Sequence, residues 1–351
     1  MLYEALEVKG FSPTLFLLGD DSSPMEREEN EGKRIIFSPW NFLKNSFFNK
    51  SKRIDDILSG FSFGISVGRW FESAIPLYES RIPFSLWISN SILDNKNAFL
   101  ESSQFPLKLG TIMYKRVLAY ENKIMEAAKF IWVTSDTSNR NILNWYKDFN
   151  EKIRLLRIPY VHKENKFIPD DSKSERKILF LGSPEISALN FIGFLRVFKN
   201  LKSTAGTEDI VLEVLGEKPK SIFFRFALKG MKLEKDIIFT EINDIDRTFQ
   251  NSWVYVEPSN FDLIGVGLLK AVTFGIPILS CFGSISQEVI TDGENGLLVP
   301  NGDYESLNRA LAQLIFNDRV REDCRNSADK ALLDKFANKS FDTELELLEN
   351  C

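Results

Sequence analysis

Short apolar runs closed by glycine or a polar turn alternate along this chain with segments whose apolar residues recur every three or four positions. The first kind has the length of buried strands, and the second the period of helices with one apolar face. In the N-terminal half this predicts strands at 14–19, 34–38, 61–67, 83–89, 131–135 and 153–158, and helices at 1–11, 70–80, 107–129 and 137–149. Residues 20–33, DDSSPMEREENEGK, have no apolar period and read as a solvated acidic loop. Residues 161–176 are again polar and aperiodic, which predicts a linker between two halves. In the second half strands are predicted at 177–181, 210–215, 237–239, 253–256 and 276–281, and helices at 190–201 and 266–272. Asp303 is the predicted N-cap of a helix carrying Leu307, Leu311, Leu314 and Ile315, and residues 319–349 read as closing helices. Strands alternating with helices in this way predict doubly wound α/β domains.

The stretch that organises the chain is 253–300. It reads as strand, loop, helix, strand, with Val266, Leu268, Leu269 and Val272 at helical spacing and Gly275 then Pro277 as the stop. The loop after its first strand opens onto a helix N-terminus, where unpaired N–H groups and the positive end of the dipole favour an anion. Gly265 and Gly267 let a phosphate approach the backbone there, so a phosphate-bearing ligand is expected.

Composition narrows the classes. At 351 residues, the chain is long enough for two cores, and 44% hydrophobic with 26% charged residues is the balance of a globular protein. A net charge of −5 supplies no positive field for a nucleic-acid backbone. Cys281, Cys324 and Cys351 lack metal-ligand spacing and His162 is the sole histidine, which argues against zinc and a disulfide framework and fits a reducing, cytoplasmic setting. The start carries no charged-then-apolar leader, and no run of eighteen apolar residues occurs. Residues 39–55 interleave Trp40, Phe42, Leu43, Phe47 and Phe48 with Lys44, Lys50, Lys52 and Arg53. That pattern fits either a segment lying in a membrane interface, at the inner face, or an ordinary helix packing its aromatics inward.

Asp262, Gly265, Leu268, Leu269, Lys270, Ala271, Gly275 and Pro277, followed by Glu288, Asn295, Gly296, Leu297, Leu298 and Val299, resemble the donor-site region of retaining glycosyltransferases of family 4. The family pattern is a Glu, seven residues and a second Glu; here the two places hold Asp262 and Lys270. The resemblance implies a GT-B architecture of two Rossmann-like domains facing a central cleft. Residues 1–160 would form the acceptor-side domain, 177–335 the nucleotide-sugar domain, and a C-terminal helix at about 336–351 would cross back to the first. In the family a strand and a glycine-rich loop come before the helix matched by 1–11, so the N-terminal domain is expected to lack its first strand.

The same resemblance implies site residues. Asp262 would stand at the donor sugar as the catalytic carboxylate. Donor binding would fall to Gly182, Ser183, Gly216, Glu241, Ile242, Ile264, Gly265, Val266, Lys270 and Glu288, with Glu288 able to orient the donor loop. Relatives carry an Arg and a Lys where this chain has Ser183 and Leu189, and a histidine near Ser89, Asn90 and Ser91. The second acidic residue ordinarily accepts from ribose hydroxyls, which an ammonium cannot do, so Lys270 is expected to approach the phosphates instead or to face solvent. His162 reads as a linker residue.

The implied activity is metal-free transfer of a sugar from a nucleotide-sugar donor to a glycan, lipid-linked or small-molecule acceptor with retention of configuration, in cell-surface polysaccharide or glycoconjugate synthesis. No cofactor is expected beyond the nucleotide-sugar substrate. Two alternatives are a pseudo-glycosyltransferase serving as a scaffold in a glycan-assembly complex and a nucleotide-sugar epimerase on the same fold.

Overall fold

The computed structural model describes residues 2–19, 26–30, 33–39, 58–68, 70–93, 107–157, 176–182, 190–216, 218–219, 222–241, 245–259, 265–327, 336, 343–344 and 346–347. The expected linker up to 175 with His162, most of the aromatic and basic segment at 39–55, and Asp262, Ser183, Leu189, Ile242 and Ile264 lie outside them.

The N-terminal half opens with α1 (Leu2–Val8), β1 (Leu15–Gly19), β2 (Glu26–Asn30) and β3 (Lys33–Pro39). It continues through β4 (Gly64–Gly68), a 3-10 turn (Glu72–Ala74), α2 (Ile75–Glu79), β5 (Phe84–Ile88) and α3 (Leu107–Ala127). Then come β6 (Ile131–Val133), α4 (Asp136–Trp145), a second 3-10 turn (Lys147–Phe149) and β7 (Ile153–Leu155). The described strands of this half form two sheets, β1-β3-β2 and the parallel β4-β5-β6-β7. The acidic loop expected at 20–33 is corrected: Glu26–Asn30 is a strand, antiparallel to β3, with Glu28 opposite Ile35 and Asn30 opposite Lys33. Its composition hides it because a charged edge strand has no apolar face, and the ladder to β3 supplies the order.

A cluster buried between β5, β6, α3 and α4 forms the N-terminal core, with Leu86, Ile88, Val117, Ile124, Ile131, Val133 and Ile142 all 0% exposed. Ser135 caps α4, its hydroxyl accepting from the Ser138 N–H at 3.0 Å.

The second half contains β8 (Arg176–Leu181), α5 (Phe191–Lys202), β9 (Ile210–Leu215), α6 (Ile222–Met231), β10 (Ile237–Thr240) and α7 (Ile245–Gln250). After these follow β11 (Val254–Glu257), α8 (Val266–Thr273), β12 (Ile278–Cys281), α9 (Ser284–Val289), β13 (Gly296–Val299), α10 (Tyr304–Phe316) and α11 (Asp318–Ser327). All six strands run parallel in the order β10-β9-β8-β11-β12-β13. Counted within the half this is 3-2-1-4-5-6, so the winding reverses between β8 and β11. Asp303 caps α10 as expected, its carboxylate accepting from the Ser306 N–H at 3.0 Å.

One face of this sheet buries Phe180, Leu212, Val214 and Val256 against Phe194, Phe198, Leu311 and Leu314 of α5 and α10. The other face buries Leu179, Leu215 and Tyr255 with Leu268 and Val272 of α8, and the same cluster takes in Trp87, Trp132 and Leu156 from the N-terminal half. The two halves therefore share a buried apolar seam. At about 25 cal/mol per Å² of apolar surface removed from water, such a seam stabilises their mutual placement. Polar ties reinforce it: Trp132 Nε1 donates to Glu344 near the C-terminus at 2.8 Å.

Candidate functional site

In a doubly wound sheet the crevice for a ligand lies outside the carboxyl ends of the strands, where the winding reverses. Here that is the gap past the ends of β8 and β11. Gly182 follows β8, Gly216 follows β9, Glu241 follows β10 and is exposed, and Gly265 caps α8. Gly182, Gly216, Glu241 and Gly265 thus fall at the same edge of the sheet, Val266 and Lys270 lie on the helix that starts there, and Glu288 lies apart on α9.

Gly182 and Gly216 touch. A Cβ built on Gly216 would stand 2.7 Å from the Gly182 carbonyl oxygen, and Gly182 has φ +131°, a value closed to side chains. Two strand ends are brought together with nothing between them, which leaves a floor made of backbone.

Gly265 has φ +81° and offers no side-chain cap to α8. The first N–H groups of a helix have no partner within it, and the dipole adds to their pull on a negative group. A Cβ on Gly267 would lie 2.0 Å from the Tyr255 hydroxyl oxygen, so Gly267 lets β11 pack against α8. Tyr255 in turn donates to Glu257 at 2.8 Å, and burial, with Glu257 beside it, raises its hydroxyl well above the ordinary range. Glu257, buried at the end of β11, has no sequence signal because it stands between an apolar run and a Pro/Ser turn, where a solvated carboxylate is the ordinary expectation.

Val266 is half exposed at the start of α8. Lys270 lies in the last turn, where its ammonium pairs with Asp246 on α7 and stands 6.0 Å from the Phe274 ring. The Lys270 side chain is 30% exposed, so it faces solvent in part while it holds Asp246. Asp246 is the partner that sequence spacing did not reveal, since it comes from another helix.

Glu288 on α9 reaches the other half. Its Oε1 accepts from the Asp136 N–H at 2.5 Å, its Oε2 accepts from Arg157 Nε at 3.1 Å, and Arg157 also pairs with the Asp136 carboxylate. Neither Asp136 nor Arg157 carries a local signal of function.

Across the seam, the carboxyl end of β5 runs into Ser89, Asn90 and Ser91, all buried. Beneath them lies Glu121 of α3, 0% exposed. Its Oε2 accepts from the Ser91 hydroxyl at 3.0 Å and the Tyr146 hydroxyl at 2.6 Å, and its Oε1 accepts from the Ile92 N–H at 3.0 Å. Burial pushes this carboxyl up to about 7, against three hydrogen bonds that favour the ionised form. The signal was readable: Tyr114, Val117 and Ile124 make an apolar stripe on α3, and Glu121 stands within it.

The described cysteines, Cys281 and Cys324, are buried thiols pushed up to about 12 and about 11 by desolvation, so they stay protonated. Among the described residues no helix is long and apolar enough to cross a membrane.

Comparison with known proteins agrees with this geometry. Residues 161–331 match the model of the family described as glycosyl transferases group 1. The 2-deoxystreptamine N-acetyl-D-glucosaminyltransferase of Niallia circulans is 22% identical over 244 residues, covering 69% of this chain and 58% of its own. The poly(glycerol-phosphate) alpha-glucosyltransferase of Bacillus subtilis is 21% identical over 181 residues, 49% of this chain and 27% of its own. The chain therefore spans less than two thirds of the length of these relatives. Sucrose-phosphate synthase from Thermosynechococcus elongatus superposes with a TM-score of 0.70 at 15% identity, covering 99% of this chain and 91% of that one. The chain is a protein of GT-B fold, and the half that bears the glycine-lined crevice matches the group 1 glycosyltransferases.

Proposed function

We propose that the protein is a glycosyltransferase that moves a sugar from a nucleotide-sugar donor to a glycan, lipid-linked or small-molecule acceptor with retention of configuration, in the making of cell-surface polysaccharide or glycoconjugate. The observation that carries this reading is the N-terminus of α8, capped by Gly265 alone, at the switch point between β8 and β11 within the segment matching group 1 glycosyltransferases. Breaking the bond between the anomeric carbon and the diphosphate puts charge on the leaving phosphate as the sugar becomes oxocarbenium-like. Fixed N–H dipoles at a helix start stabilise that charge without reorganising. The backbone floor of Gly182 and Gly216 lets a nucleotide lie close to the sheet. Asp262, two residues before Ile264 in the loop that leads into Gly265, would face the donor sugar, and no metal is needed in this scheme. Contact of residues 39–55 with a membrane surface would bring a lipid-linked acceptor to the cleft.

The test is thermal unfolding of the chain with UDP, GDP, ADP and the matching nucleotide sugars. A ligand at about a hundred times its Kd adds roughly 2.7 kcal/mol to the folded state. One nucleotide should raise the melting temperature, and Gly265→Trp should abolish the rise, because the new ring enters a left-handed backbone position against Ile285. A folded wild-type sample that answers to none of these ligands would overturn the reading and leave the scaffold role in its place.

A further inference from the structure

Helix α9 is wedged between two elements that a donor site must keep in order. On one side its Ile285, 2% exposed, lies against the Gly265 turn, so close that a Cβ on Gly265 would stand 2.6 Å from Ile285 Cγ1. Three residues on, Glu288 engages the N-terminal half through the Asp136 N–H and Arg157. Asp136 is the first residue of α4, so its N–H is among those with no acceptor inside the helix. Glu288 is in effect a second cap for α4, supplied from the opposite half, and a carboxylate is favoured there by the helix dipole as well. Arg157 closes the triangle, with its guanidinium 5.7 Å from the Phe336 ring, and both it and Glu288 are largely shielded, at 20% and 12% exposure.

We infer that Glu288 is a positioning residue that couples the contact between the two halves to the Gly265 turn, so that the anion site at α8 is in register only while Glu288 holds the start of α4. This rests on the reading of the crevice as a nucleotide-sugar site, but the coupling itself concerns the ligand-free protein. A shift of α9 that loosens the α4 cap also moves Ile285, and the turn that Ile285 abuts has no side chain of its own to absorb the change. Coupling is reciprocal, so a nucleotide at α8 tightens the contact between the halves by the same factor.

The decisive experiment is amide hydrogen exchange on the full chain without ligand, comparing Glu288→Ala, Asp136→Pro and Asp136→Ala. Proline suits this position: it is the first of the helix, and Ser135 before it is extended at φ −146°, ψ 157°. Asp136→Pro deletes the donated N–H, whereas Asp136→Ala deletes only the carboxylate that pairs with Arg157. Glu288→Ala and Asp136→Pro should both speed exchange at residues 265–269, by roughly tenfold in the range usual for coupled sites, with Asp136→Ala the milder. The nucleotide that stabilises the wild type should bind these two variants more weakly by a similar factor. Unchanged exchange at 265–269 in folded Glu288→Ala and Asp136→Pro proteins would overturn the inference. Failure of the wild type to bind any nucleotide would strike the functional reading alone, because the exchange comparison stands without ligand.

Discussion

The carboxyl ends of β5 and β8 meet the same requirement by opposite means. Each must end a buried parallel strand and turn the chain toward the cleft. At β8 this is done by removing side chains: Gly182 and Gly216 meet backbone to backbone. At β5 it is done by burying one: Glu121 gathers the Ser91 hydroxyl, the Ile92 N–H and the Tyr146 hydroxyl. The first device is insensitive to pH and intolerant of any Cβ. The second tolerates bulk poorly too, but it also carries a proton, so its strength depends on the medium.

The sharpest way to break the comparison is Gly216→Ala. The added methyl group meets a carbonyl rather than a flexible side chain, so backbone must shift, and the expected loss is about 2 kcal/mol or more in urea unfolding. A loss under about 0.5 kcal/mol would mean the two strand ends are freer to part than the contact implies.

The Glu121 device answers to pH. Its folded-state value of about 7 lies above the ordinary carboxylate value of 4.5, so between these the folded protein binds more protons than the unfolded chain. Stability from this group is therefore full below about pH 4.5 and falls as pH rises through about 7. Glu121→Gln should flatten that decline, measured as the difference in melting temperature between pH 5 and pH 8 for variant and wild type. It should also lower stability at both values, since an amide nitrogen cannot accept from the donors that faced the oxygen it replaces. An unchanged pH slope would show that Glu121 keeps one protonation state throughout.

The smallest effect concerns Lys270 and Asp246. Their side chains are about a third exposed, at 30% and 35%, so solvent screens the pair and Lys270→Ala should cost only about 0.5 kcal/mol. Lys270→Glu would set two carboxylates face to face and should cost a little more, with Asp246→Lys restoring the loss in the double variant. Lack of recovery in that cycle would mean the two residues act independently.

Sequence and structure diverge where sequence-distant partners decide. The strand at 210–215 has the same bounds in sequence and structure, because a mostly apolar run closed by a glycine describes a buried parallel strand locally. Asp303 as a cap and the strand, helix, strand order of 253–281 were legible for the same reason. Glu26–Asn30 was not, since only its neighbour β3 makes it a strand. Helices Ile222–Met231 and Ile245–Gln250 carry little local signal either, the first lying amid basic residues and the second being too short to show a period.

What the chain settled by itself is the alternation of its longer strands and helices, the glycine positions at the strand ends and the α/β class, all of which follow from periodicity and from backbone conformations that only glycine adopts easily. The tertiary structure alone decided which charges meet. Lys270 with Asp246, Glu288 with Asp136 and Arg157, and Glu121 with Ser91 and Tyr146 join residues 24, 152, 131, 30 and 25 positions apart. Side-chain pairing over such separations leaves no period in the sequence, because it depends on where whole elements pack and not on the steps of one.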